Sequence, residues 1–224
     1  MRIGNERPGV NLLLENHPMN LKKLKQAEAA FLARYPKGFT DPEMAVISKK
    51  HNMNRMIEQV QESFAKPEFK DSRAIVDDMA RYIGRSSMVS MFEKPKFRDF
   101  VRSLNSVEQE ALASGLKNQL HGDQQLGFEM VLSVLQSRKL AKWSLISILP
   151  VYFRPLDEVF VKPTTAKGVI AHFELEGLEY KPQPSWEFYE TYRRHVLSMK
   201  KKVRKSLSPN NAAFTGFLMM SLRA

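Results

Sequence analysis

The segment from Ser185 to Leu207, SWEFYETYRRHVLSMKKKVRKSL, constrains the fold more than any other stretch of the chain. Wound as a helix, it gathers Phe188, Tyr189, Tyr192, Val196, Met199, Val203 and Leu207 into an arc of about 100°. Arg193, Arg194, Lys200, Lys201, Lys202, Arg204 and Lys205 all fall outside that arc. Such a helix has one apolar stripe that must be buried and a wide cationic face, so the rest of the chain has to supply a core. Ser185 reads as its N-cap, with Glu187 and Glu190 near the positive end of the helix dipole.

A core of that kind is within reach. The chain has 224 residues, of which 43% are apolar and 26% charged, a globular composition. No apolar run approaches the roughly 18 residues of a membrane span. The opening MRIGNERPGVNLLLENHP lacks the apolar core of a signal peptide, so a cytoplasmic address is expected. The absence of cysteine excludes disulfides, thiolate catalysis and cysteine-based zinc sites.

The formal net charge of +11 is concentrated. From Thr191 to Ala224 there are eight Lys/Arg, Arg223 included, and no Asp or Glu, which leaves 27 basic against 24 acidic residues over 1–190. A localised positive field attracts polyanions such as nucleic acid, anionic lipid headgroups or an acidic protein.

Helix signals recur along the chain. Asn20 caps a first helix that Pro36-Lys37-Gly38 stops, and Asp41-Pro42-Glu43 starts a second. Another carries Met53, Met56, Ile57, Val60 and Phe64. Asp71 caps a helix closed by Gly84, Lys94-Pro95 opens the next, and Ser106 with Gln109 forms a capping-box pattern. Asp123 begins a helix towards Leu140, and Gly115, Gly122 and Gly127 read as helix punctuation. SLISILPVYF is β-branched and aromatic and fits a short strand or a buried helix end. A helix capped near Thr164 ends by Gly177, and Ser208-Pro209 starts a last, buried one. The expected fold is all-α, with at most one or two short strands around 145–182. It divides into an arm over 1–19, a helical lobe over 20–122, and a second lobe over 123–224 carrying the proline-rich connections and the basic helix 185–207.

From Trp143 to about Phe214 the order of landmarks resembles the C-terminal part of a group of uncharacterised bacterial proteins. The landmarks are Trp143, Pro150, Pro155, Phe160-Val161-Lys162-Pro163, Tyr180, Pro182, Pro184, Tyr189 and Ser208-Pro209. The resemblance implies that this third of the chain is one structural unit, and it transfers no activity.

Three functions are in play. The leading one is sequence-nonspecific, non-enzymatic nucleic-acid association through Arg193, Arg194, Lys200, Lys201, Lys202, Arg204 and Lys205, with Trp186 placed to stack on a base. The second is a regulatory module docking an acidic protein on the same helix. The third is a Mg²⁺-dependent nuclease in which Asp157 and Glu179 hold the ion and Lys181 orients water. The histidines (His17, His51, His121, His172, His195) are scattered without metal-ligand spacing and read as surface or capping residues. The methionines read as core filling rather than a cofactor pocket, so neither cofactor nor resident metal is expected. The sequence leaves oligomeric state open.

Overall fold

The computed structural model describes residues 19–222. The arm, up to residue 18, and with it His17 and Arg223, lie outside the described residues. The fold is all-α. Among the described residues it comprises α1 (Leu21–Arg34), α2 (Pro42–His51), α3 (Met53–Ser63), α4 (Ser72–Arg85), α5 (Glu93–Ser103), α6 (Ser106–His121), α7 (Gln124–Ser137), α8 (Trp143–Phe153), α9 (Pro163–His172), α10 (Trp186–Lys201) and α11 (Asn211–Ser221), with no strand. None of these helices is long and apolar enough to cross a membrane.

Local chemistry sets most of the starts. Asn20 Oδ1 accepts the Lys23 N–H at 3.0 Å, Asp123 Oδ1 that of Leu126 at 3.0 Å, and Asn210 Oδ1 that of Ala213 at 2.8 Å. The capping box of α6 falls one residue earlier than the Ser106/Gln109 pattern. Asn105 Oδ1 accepts the Glu108 N–H at 2.9 Å, and Glu108 Oε2 accepts the Asn105 N–H at 3.0 Å. Asn105 wins because its partner is a charged carboxylate, a stronger acceptor than a glutamine amide. Gly84 does not close α4, which continues through it to Arg85.

Two glycines read as punctuation lie inside helices instead. A Cβ on Gly127 would sit 2.1 Å from the Gln119 backbone nitrogen, and one on Gly115 would sit 3.0 Å from the Val131 backbone nitrogen. Each glycine therefore lets α6 and α7 approach backbone to backbone across the tight turn at Gly122.

The ambiguous SLISILPVYF run is helical and forms most of α8. All but Phe153 of α8's residues are buried, so the apolar run is what a helix walled on every side requires. Pro150 sits inside it and has no N–H for the Ile146 carbonyl. The buried amide of Gln119 fills the gap, its Nε2 donating to the Ile146 oxygen at 3.4 Å. Around α8 the core continues through Phe128, Trp143 and Phe188, whose rings are in contact at 6.4 and 5.0 Å. The apolar stripe of α10 enters this core: Phe188, Tyr189, Tyr192, Val196 and Met199 are all buried. α11 packs its Phe217 edge-on against Phe31 of α1, 5.3 Å between centroids.

Candidate nucleic-acid interface

The basic segment is not one helix to Leu207. α10 stops at Lys201, Lys202 caps it, and a 3₁₀ turn follows at Lys205–Leu207. The cause lies on α1. In a continued helix the Arg204 N–H would reach the Lys200 carbonyl. Instead it donates to Glu28 Oε1 at 2.7 Å, while Lys25 Nζ donates to the Lys202 carbonyl. Glu28 Oε2 also holds Lys25 at 2.7 Å. Burial alone would raise the Glu28 carboxyl, but the Lys25 ammonium and the Arg204 N–H outweigh it and hold its pKa below the ordinary glutamate value. A helix continued past Lys201 would also set Lys200 against Arg204 and Lys201 against Lys205 at i,i+4, like-charge pairs that favour leaving the helix there.

The cations of this segment divide by position on the helix. Trp186, Arg193 and Lys200 are seven residues apart, so they line one flank beside the apolar stripe, and that flank is packed. Arg193 Nη1 lies 3.0 Å from Glu158 Oε1 and 3.1 Å from Gln124 Oε1, and its side chain is only 15% exposed. Its guanidinium also stands 5.6 Å from the rings of both Trp186 and Tyr189. The Trp186 indole meets Phe128 edge-on at 5.7 Å. The half-buried ring thus packs in the protein's own aromatic cluster. Lys200 Nζ donates to Asn211 Oδ1 at 2.6 Å, and partial burial lowers its pKa despite the nearby Asp157.

Glu158, which no sequence motif singles out, organises this flank. It is 1% exposed and receives Arg154 at 2.9 Å, Arg193 at 3.0 Å, Gln124 Nε2 at 2.6 Å and the Tyr189 hydroxyl at 2.6 Å. Burial and the adjacent carboxylate push the Tyr189 hydroxyl well above its ordinary pKa, so it stays protonated and donates. A carboxylate this buried is tolerable because both oxygens are paired with charge and hydrogen bonds. His195, elsewhere on α10, is 1% exposed, a correction to its reading as a surface or capping residue.

Beyond the packed flank, Arg194, Lys201, Lys202, Arg204 and Lys205 are exposed. The side chains of Lys201, Lys202, Arg204 and Lys205 form no ion pair or hydrogen bond among the described residues. Lys25, exposed on α1, joins them across the seam. Lys37 adds to the edge, because the next residue, Gly38, packs on the Ser206 backbone at a positive φ of 62° that favours glycine.

The nuclease residues are not brought together. Asp157 is exposed beside Lys200, towards the end of α10. Glu179 precedes Tyr180, whose ring is 5.8 Å from Phe188 near the start of α10. Those two positions are separated by on the order of 18 Å along the helix axis. Lys181 is exposed and uses its carbonyl to accept the Trp143 indole N–H at 2.8 Å. Among the described residues no group of three or more His, Asp or Glu is placed to hold a metal. The methionines are not all core. Met53, Met219 and Met220 line a cleft between α2 and α11.

No protein-family model matches the chain, and neither a curated protein nor a solved structure matches it.

Proposed function

We propose that the protein binds the phosphate backbone of nucleic acid, without reading base sequence, through Lys201, Lys202, Arg204 and Lys205. Lys25 flanks these four on α1. The observation that supports this reading is the fate of the neighbouring carboxylate. Glu28 is buried, and its two oxygens are taken by the Lys25 ammonium and the Arg204 backbone N–H. Lys201, Lys202 and Lys205 therefore present their charge to solvent without an ion pair among the described residues, while the exposed Arg204 guanidinium also feels the Glu28 carboxylate. Cations in that state release condensed counterions when they meet phosphates, which gives salt-sensitive attraction with little sequence preference. Arg193 and Lys200 have structural partners and are not assigned to the interface, and Trp186 is not assigned a stacking role.

Fluorescence anisotropy with a labelled duplex and a labelled single strand, at several salt concentrations, tests the reading. Binding is expected to weaken linearly in log–log form. Replacing the four side chains by alanine should reduce the slope by about 3 to 4 and abolish retention at moderate salt. Wild-type protein that binds neither probe at low salt overturns the proposal, as does a quadruple variant that binds unchanged. Equal affinity for polyglutamate of the same charge would transfer the surface to an acidic protein partner.

A further inference from the structure

Between α2 and α11 lies a cleft of about 450 Å³, a volume typical of small-ligand sites. Most of its wall is apolar and adaptable: Met44, Ile47, Met53, Met88, Met219 and Met220 line it, and thioether side chains reshape around flexible guests. Its polar groups include Lys162, Thr165 and Asn210, at the starts of α9 and α11.

That polar end is built for negative charge. Lys162 precedes α9 without capping it by a side-chain hydrogen bond, and Pro163 follows at the first helical position. The backbone N–H groups of the first turn are left without a side-chain acceptor, at the positive end of the helix dipole. A second observation concerns Thr165. Thr165 lines the cleft at only 3% exposure, yet its hydroxyl has no hydrogen-bond partner among the described residues. The hydroxyl is not one of the solvent-sealed orphan atoms, so it opens on the cleft, where a ligand oxygen seated at the start of α9 could pair with it. Lys162, an exposed residue with no ion pair among the described residues, lines the same end.

We propose that this cleft binds a small amphipathic carboxylate, its hydrocarbon chain along the methionines and its head group at Lys162, Thr165 and the first turn of α9. With each methylene taken at about the 30 Å³ of a liquid water, a ten-carbon chain fills most of the apolar part and leaves room for the head. The site is separate from the cationic rim and does not depend on the nucleic-acid reading.

Isothermal titration of the full chain with decanoate, decanol and decyltrimethylammonium tests this. Decanoate binds one to one with a dissociation constant below its self-association range, decanol binds several-fold more weakly, and the cationic amphiphile does not bind. Shortening the acid by two carbons weakens it roughly tenfold. Gly216 supplies the blocking variant. A Cβ there meets its first neighbour, the Phe39 ring, at 3.9 Å, so Gly216→Leu has room at its Cβ and adds carbon to a wall of the cleft. It abolishes decanoate binding while leaving thermal unfolding at or above the wild-type temperature. Lys162→Met lies on the exposed surface and removes the preference for decanoate over decanol. The proposal is overturned by the absence of saturable decanoate binding, by equal binding of all three probes, or by decanoate affinity unchanged in Lys162→Met. Should Gly216→Leu not fold, the Lys162→Met comparison decides alone.

Discussion

Arg193 and Glu158 meet at 3.0 Å in a setting where the carboxylate is 1% exposed, so one of the cations of the basic helix is part of the protein's interior. Its guanidinium also closes over Trp186 and Tyr189. This separates two roles that composition merges. Arg193 holds α10 against the segment after α8, whereas Lys201, Lys202, Arg204 and Lys205 face solvent.

Arg193→Met should therefore act on stability and not on polyanion binding. It removes one of two cations from a buried carboxylate while keeping an apolar stem, and Arg154 stays in place at 2.9 Å. Breaking a buried pair typically costs 3–5 kcal/mol, and with the second arginine retained about 2–4 kcal/mol is expected. For a chain of this size that lowers the midpoint by roughly 5–15 °C. Thermal unfolding measures it, and the salt slope of nucleic-acid binding should not move. A variant that unfolds like wild type but loses one unit of slope would return Arg193 to the interface.

Gln119→Leu probes the proline in α8. The substitution keeps volume and removes the amide that donates to the Ile146 carbonyl, which Pro150 leaves without its helical partner. An unsatisfied buried carbonyl costs about 1–3 kcal/mol. Restoring the backbone donor with Pro150→Ala in the same chain should recover part of that loss. Chemical denaturation of the single and double variants gives the coupling, and strict additivity would show that Gln119 does not serve this carbonyl.

What was legible in the sequence was local. Asn20, Asp123 and Ser185 announce their helices because an N-cap acts on the next three residues. The apolar stripe of α10 was readable for the same reason, since its period is carried by the segment itself. The partners of the stripe's flank were not. Trp186, Arg193 and Lys200 sit 20–60° beyond the edge of a roughly 100° stripe, and nothing within α10 says whether such positions meet water or protein. Gln124, Glu158 and Asn211 decide it, at sequence separations of 69, 35 and 11. The end of α10 was hidden likewise, because the competing acceptor, Glu28, lies 176 residues away. α8 was ambiguous because burial on all sides erases periodicity. Thr165 and the cleft had no local signature.

Gly127→Ala should be among the most damaging single-methyl additions. The new Cβ would fall 2.1 Å from the Gln119 nitrogen, a backbone atom that cannot step aside without separating α6 from α7. Overpacking of this kind costs about 1–3 kcal/mol or more, well above the fraction of a kcal/mol that alanine's better helix propensity returns. Gly216→Ala is the control, since its Cβ has open space and the propensity gain of about 0.5–1 kcal/mol should appear undiminished. Opposite signs in thermal unfolding are expected. Equal signs would mean that α6 and α7 are not in backbone contact at Gly127.

Acid should loosen the seam between α1 and the end of α10. Because Glu28 is held below its unfolded pKa of about 4.3, its contribution is present in full above that value. It is lost as pH falls through the lower native pKa, where the carboxylate takes up a proton and gives up the Lys25 ammonium and the Arg204 N–H. Glu28→Gln mimics the protonated form at every pH. Wild type should therefore unfold at a higher temperature than the variant at pH 6 to 7, and the gap should narrow steadily as the pH drops below 4. Hydrogen exchange at the Arg204 amide offers a local readout, with protection in the wild type at neutral pH and loss of it in Glu28→Gln. A gap between the two proteins that stayed constant from pH 7 to pH 2 would show that the charge on Glu28 is not what turns the chain after Lys201.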